Sequence, residues 1–191
     1  MPTHSQPWPV VPRPFEGEAF GSWFGRIAAR YRMRVDELAC GAGLALDLCG
    51  GAWLASQPPQ GEARRRLAEL CRLPSEVIGS MAPQTSVVTN RFWYCYPCLD
   101  LNPQDVLSPY WRADWLTSGC SICACHQGDA CWIELGTLLH CADMRSLVRD
   151  IRKRKQGWAQ QRRREASRMY PYASAFRGNS KVDAKSPKSG H

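Results

Sequence analysis

The chain has 191 residues, 44% of them apolar, enough for a core in one medium domain or two small ones. No run of about eighteen apolar residues occurs, which excludes a membrane-spanning helix from the reading. The net charge of +8 is unevenly placed. From Arg145 to His191 there are fourteen Lys/Arg against three acids, net +11, so the first 144 residues carry −3. That asymmetry points to a polyanion-binding arm at the carboxyl end.

Residues 1–15 hold five prolines together with Trp8, Val10, Val11 and Phe15. This composition predicts an extended arm laid across a surface. It lacks the charged and apolar regions of a signal peptide. Phe20, Trp23, Phe24, Ile27, Ala28 and Tyr31 then recur at helical spacing, predicting a first helix with a polar or small opposite face that includes Ser22, Gly25 and Arg26. Asp36 and Glu37 open a short second helix through Cys40.

Glu62 to Leu73 predicts a third helix, and Ser75 to about Ala82 a fourth, stopped by Pro83. Ala68, Leu73 and Ile78 stand where a helix-turn-helix unit places a small residue, a turn apolar residue and a core β-branched residue. Against base readout, the turn residue is Arg72, which resists positive φ, and the fourth helix is barely two turns long. Ser86 to Tyr94 is β-rich and predicts a strand. Asn102-Pro103 and Ser108-Pro109 predict a loop, after which Tyr110, Trp111 and Trp115 supply aromatic packing.

That strand leads into Cys95-Tyr96-Pro97-Cys98. After twenty-four intervening residues comes Cys123-Ala124-Cys125-His126. Two residues between paired ligands let a tight turn aim both at one ion, and four such groups make a closed, structural tetrahedral zinc site. Two ligand sets satisfy this: Cys95, Cys98, Cys123 and His126, or the four-cysteine set Cys95, Cys98, Cys120 and Cys123. Ten cysteines at such spacing and no secretory signal predict a reducing, cytoplasmic setting. Cys131, His140 and Cys141 do not make a second centre, since adjacent His140 and Cys141 rarely serve one ion.

Leu135, Leu138, Leu139, Met144, Leu147, Val148 and Ile151 again have helical spacing. The pattern fades into Arg152-Lys153-Arg154-Lys155, is interrupted at Gly157, and resumes as charge in Arg162-Arg163-Arg164. These seven basic residues are the nucleic-acid-binding candidates, able to neutralise phosphates without reading sequence. From Tyr170 onward the composition is that of a disordered tail.

Several of these motifs resemble the TniQ family, target-selection proteins of bacterial transposons related to the larger TnsD proteins. The carriers are Pro14-Phe15-Glu16-Gly17-Glu18-Ala19-Phe20-Gly21-Ser22-Trp23, Arg26-Ile27-Ala28 and Leu73-Pro74-Ser75-Glu76-Val77-Ile78. The most specific are Tyr94-Cys95-Tyr96-Pro97-Cys98-Leu99, Tyr110-Trp111-Arg112 with Trp115, and Cys123-x2-His126. The resemblance, with the turn at Gln127-Gly128, favours His126 over Cys120 as the fourth ligand. The later cysteine pairs of longer relatives are missing, so the chain looks like a short adaptor form.

The resemblance implies a mainly α fold with a small zinc-ribbon β element. The expected organisation is an extended arm (1–15), a helix-turn-helix-like domain (16–84), a zinc-binding domain (85–144) and a basic helix with a disordered tail (145–191). It also implies a bacterial, nucleoid-associated protein that is not an enzyme. Such an adaptor links target recognition on DNA, in some relatives by a guide RNA and a CRISPR effector complex, to a AAA+ transposition ATPase and its transposase. No G-x4-G-K-[ST] loop is present, so ATP hydrolysis would belong to the partner. The competing reading is a stand-alone DNA-binding transcription regulator with a helix-turn-helix and a zinc ribbon.

Overall fold

The computed structural model describes residues 6–46, 52–82, 90–101, 109–117, 122–123 and 125–169. The chain divides into two units, Met1–Asp150 and Ile151–His191. The described part is mainly helical with one two-stranded sheet. The expected loop at 102–108 and the start of the expected strand, 86–89, lie outside the described residues, as does the tail from Tyr170.

The core is built on α1, Phe20–Tyr31, in which every residue from Phe20 to Ala29 is buried. This corrects the expectation of a polar outer face. Two glycines explain how a helix can be covered all round. A Cβ on Gly21 would collide with the backbone carbonyls of Trp53 and Leu54, and one on Gly25 would lie 2.7 Å from the Trp53 ring. The two are four residues apart, so they form a notch on one face into which the 3-10 turn Trp53–Ala55 fits. The indole N–H of Trp53 then donates to the carbonyl of Cys141 at 2.9 Å, fixing the far end of the unit.

Two helix pairs share one local design. In the first, α1 is followed by α2, Val35–Gly41; in the second, α3, Gly61–Cys71, is followed by α4, Ser75–Ser80. Each first helix ends on an arginine in the left-handed region, Arg32 with φ 57° and Arg72 with φ 52°. The next residue closes the same bond in both: Met33 N–H to Ala28 carbonyl and Leu73 N–H to Ala68 carbonyl, each 3.0 Å. This is the Schellman closure, with arginine where glycine is usual. The matched positions are forty residues apart, Ala28 with Ala68, Arg32 with Arg72 and Leu38 with Ile78. The expectation that Arg72 resists positive φ is therefore overturned: two backbone bonds to otherwise orphaned carbonyls offset a left-handed cost of about 1–2 kcal/mol. α4 stops at Ser80, shorter than expected.

The amino-terminal arm is laid on this core. Trp8 donates its backbone N–H to Leu70 carbonyl at 2.8 Å and its ring lies 6.4 Å from Phe24 and 6.1 Å from Tyr31. The Tyr31 hydroxyl donates to the Val10 carbonyl at 3.0 Å, and the Trp23 indole donates to the Pro12 carbonyl at 2.8 Å. Phe15 stacks on Tyr110 at 4.6 Å.

The sheet pairs β1, Arg91–Tyr94, antiparallel with β2, Cys131–Glu134. The sequence gives no expectation of β2, because four residues are too few to display alternation. Pairing supplies what periodicity cannot: Phe92 and Ile133 face inward together, while Trp93 stands opposite Trp132. α5, Tyr96–Leu101, follows β1, and α6, Leu135–Leu139, follows β2. α7, Met144–Met169, begins with a reciprocal cap. The Ser146 N–H donates to the Asp143 carboxylate at 2.7 Å, and the Ser146 hydroxyl accepts from the Asp143 N–H at 3.0 Å. Met144, Leu147 and Val148 are buried. The helix continues through Gly157, which therefore does not interrupt it.

Candidate metal centre

β1 delivers Cys95 to the first turn of α5, where the Leu99 N–H donates to the Cys95 carbonyl at 2.9 Å and brings Cys98 onto the same side. The second pair is set by a turn. Gln127, with φ 50°, donates its N–H to the Cys123 carbonyl at 2.8 Å, and the Cys123 N–H donates to the Gly128 carbonyl at 3.0 Å. The result is a group of four, Cys95, Cys98, Cys123 and His126, whose ligand atoms all lie within 4.8 Å of one another. Cys95, Cys98 and Cys123 are buried and His126 is exposed.

The spacing inside the group tests whether an ion fits. His126 Nδ1 lies 3.5 Å from Cys95 Sγ, 3.2 Å from Cys98 Sγ and 3.7 Å from Cys123 Sγ, and Cys98 Sγ lies 3.6 Å from Cys123 Sγ. A regular tetrahedron around zinc has edges of about 3.8 Å between sulfurs and about 3.6 Å from sulfur to nitrogen. The dimensions agree, and Nδ1 is the imidazole nitrogen facing the three sulfurs. Charge points the same way. Burial pushes the Cys95 and Cys98 thiols up. At Cys123 burial also pushes upward, but hydrogen bonds from the His126 ring and backbone draw the thiol down to about 6. Thiolates packed this closely need a cation among them to ionise together.

Cys120 lies outside the described residues, so the four-cysteine alternative is not addressed by this geometry. Cys125 is exposed and stands outside the group. Among the described residues no second group of three or more metal-ligating side chains occurs. Cys141 donates to the Thr137 carbonyl at 3.3 Å. The basic candidates Arg152, Lys153, Arg154, Lys155, Arg162, Arg163 and Arg164 all lie on α7 in the second unit, and all are exposed.

A second polar cluster was not foreseen. Glu18, Ser22 and Arg26 are spaced by four and fully buried. The Glu18 carboxylate accepts from Arg26 Nη1 at 2.6 Å, from the Ser22 hydroxyl at 2.9 Å and from the Phe15 N–H at 3.1 Å. The Arg26 guanidinium also lies 4.5 Å over the Phe15 ring. Burial pushes the Glu18 carboxyl up to about 7 against the pull of Arg26 and of these hydrogen bonds. The hydroxyl of Ser22 accepts from the Trp111 N–H at 2.8 Å, and the Trp111 carbonyl accepts from the Ala19 N–H at 2.9 Å. The Trp111 ring packs on Tyr94 at 5.2 Å, one residue before Cys95. The cluster thus ties the arm, α1 and the segment beside the cysteines together. The i, i+4, i+8 spacing of an acid, a hydroxyl and a base was the available signal.

No helix among the described residues is long and apolar enough to cross a membrane. No curated protein and no solved structure matches the chain. A model of the TniQ family matches residues 9–129, a span that begins in the arm, takes in the Glu18 cluster and closes just past His126, and the chain belongs to that family.

Proposed function

We propose that this protein is a non-catalytic adaptor in DNA transposition. It links target-site recognition, with an RNA-guided CRISPR effector as one form of selector, to a AAA+ ATPase regulator that recruits the transposase. The observation that carries this reading is family membership over 9–129, which associates the chain with transposition and with adaptor-type proteins. The metal is zinc, bound by Cys95, Cys98, Cys123 and His126 as a closed four-ligand cross-link with no open position for chemistry. The transcription-regulator reading has less support, because α4 has six residues and offers little to a groove.

Contact with the ATPase falls on exposed apolar side chains. The outer face of α1 is buried and cannot serve. Val10 on the arm and Trp132 on β2 are 46% and 40% exposed, and the Arg91 guanidinium lies 4.6 Å over the Trp132 ring. Aromatic and arginine side chains of this kind dominate binding energy at interfaces. Removal of residues 1–14 would strip bonds the core needs, so point variants are the sharper tool. With the AAA+ ATPase of the same transposon as bait, Trp132→Ala should weaken recruitment by about tenfold or more, and Val10→Ser by less. Both should keep their metal content. Unchanged recruitment by the double variant would reject this surface; no recruitment by the unaltered chain would reject the adaptor reading.

A further inference from the structure

The helical stretch Ile151–Met169 carries eight Lys/Arg against the single acid Glu165. Every residue from Arg152 to Glu165 is exposed. Gly157 stands in the middle, where glycine costs about 1 kcal/mol relative to alanine. A Cβ there would meet nothing within 4 Å, so packing does not require the glycine. Beside it is Trp158, 53% exposed, a large aromatic ring placed in a field of positive charge.

Arg154, Trp158 and Arg162 are spaced by four. On a helix they share one face, with a rise of about 6 Å from each to the next. Lys155 and Gln161, three residues to either side, border the indole. We propose that this face binds single-stranded nucleic acid, with Trp158 stacking on an unpaired base while Arg154, Lys155 and Arg162 engage the phosphates on either side. An aromatic platform flanked by cations is the arrangement that holds single strands without reading sequence.

Two arguments select this ligand. The density of like charge calls for a polyanion, whose phosphates release counterions on binding. The tryptophan then selects the single strand. In a duplex each base is covered by its neighbours, and an indole gains a stacking surface only by opening a step. An unpaired base offers its face freely. A helix that only tracked duplex phosphates would gain nothing from an exposed indole. The site lies beyond the family match at 9–129 and stands apart from the adaptor reading.

The test uses the full chain and fluorescently labelled oligo-dT, oligo-U and a DNA duplex of equal length, with anisotropy read at low and moderate salt. Truncation is unsuitable if it begins before Ile151, since Leu147 and Val148 are core residues. The unaltered protein should bind a single strand more tightly than the duplex. Trp158→Ala should lose about tenfold or more on the single strand, as removal of a stacking platform does, and little on the duplex. Trp158→Phe should restore most of the loss. The tighter of oligo-dT and oligo-U identifies DNA or RNA as the natural strand. Equal binding of single strand and duplex, with no effect of Trp158→Ala, would overturn the proposal and leave a plain phosphate arm. Absence of binding to all three probes at low salt would also overturn it and point to an acidic protein surface instead.

Discussion

Two polar clusters fix the same piece of chain, and they do so by different chemistry. The Cys95, Cys98, Cys123 and His126 group brings the β1–α5 junction and the turn from Cys123 to Gly128 to a shared centre. The Glu18, Ser22 and Arg26 group gathers one helix, the arm and the Trp111 backbone around a carboxylate. Trp111 stands between them, its backbone bonded to Ser22 and Ala19 and its ring on Tyr94. The first cluster has the dimensions of a tetrahedral ion site and, with zinc bound, would have most of its thiolate charge offset from within by the metal. The second is neutralised by one guanidinium and two further hydrogen-bond donors, the Ser22 hydroxyl and the Phe15 N–H, that the fold itself must hold in place. With an ion bound, the first would be a cross-link that creates local structure; the second is a lock that depends on structure already formed.

The largest effect should come from the metal. A structural zinc contributes on the order of 10 kcal/mol to the folding of a small domain that has little core of its own. Cys98→Ser, or chelation, should unfold residues 92–126 and release the ion, measured as metal content and tryptophan emission. The bonds through Trp111 add a second expectation. Loss of the cysteine centre should also loosen the start of α1, where Ala19 and Ser22 hold that backbone. Retention of metal and of native emission in Cys98→Ser would break the comparison, because the first cluster would then not be a cross-link.

The lock should fail by a smaller amount. Arg26→Ala removes one partner of a buried pair, a change that costs about 3–5 kcal/mol where the remaining partner stays charged. Glu18→Gln should cost less, since the amide oxygen can still accept from Ser22 and from the Phe15 N–H. Chemical denaturation with metal bound separates the two variants. If Arg26→Ala is no worse than Glu18→Gln, the guanidinium is not what neutralises Glu18.

The two clusters were unequally legible in the sequence, for a physical reason. Metal ligation needs cysteines and histidines at short, fixed separations, so Cys95-x2-Cys98 and Cys123-x2-His126 show themselves as strings. A buried ion pair needs only one acid, one base and a hydroxyl on a common face, and such triples are frequent on exposed helices. Pattern alone gives Glu18 no role and puts Ser22 and Arg26 on a polar outer face, whereas all three are buried. What made them special was the covering of the remaining faces of α1, by Trp53 over Gly21 and Gly25 and by the arm through Pro12 and Phe15. These contacts join positions far apart in sequence, where periodicity carries no information. β2 was missed on the same ground, since its four residues acquire strand character from pairing with β1. Arg72, at φ 52°, was misjudged because residue preference was weighed without the backbone bonds that compensate it.

The smallest predicted effect distinguishes the clusters by sign. Thiolate ligands must lose their protons to hold a metal, so acid weakens the cysteine centre. Glu18 behaves in the opposite way. Burial raises its carboxyl in the folded protein from the ordinary 4.5 to about 7, so the native state holds a proton that the unfolded chain releases. Where the native state binds more protons, stability falls as pH rises. The contribution of Glu18 is therefore most favourable below about pH 4.5 and is lost progressively as pH rises through about 7. Because the cysteine centre is common to both proteins, the difference in unfolding free energy between the unaltered chain and Glu18→Gln isolates this single group. Measured with saturating zinc from pH 5 to pH 8, that difference should move against the unaltered chain as pH rises, and level off above about pH 7. A difference that instead favours the carboxylate at higher pH would mean that Arg26 and the two further donors, Ser22 and the Phe15 N–H, outweigh burial, and that the lock is strongest when fully ionised.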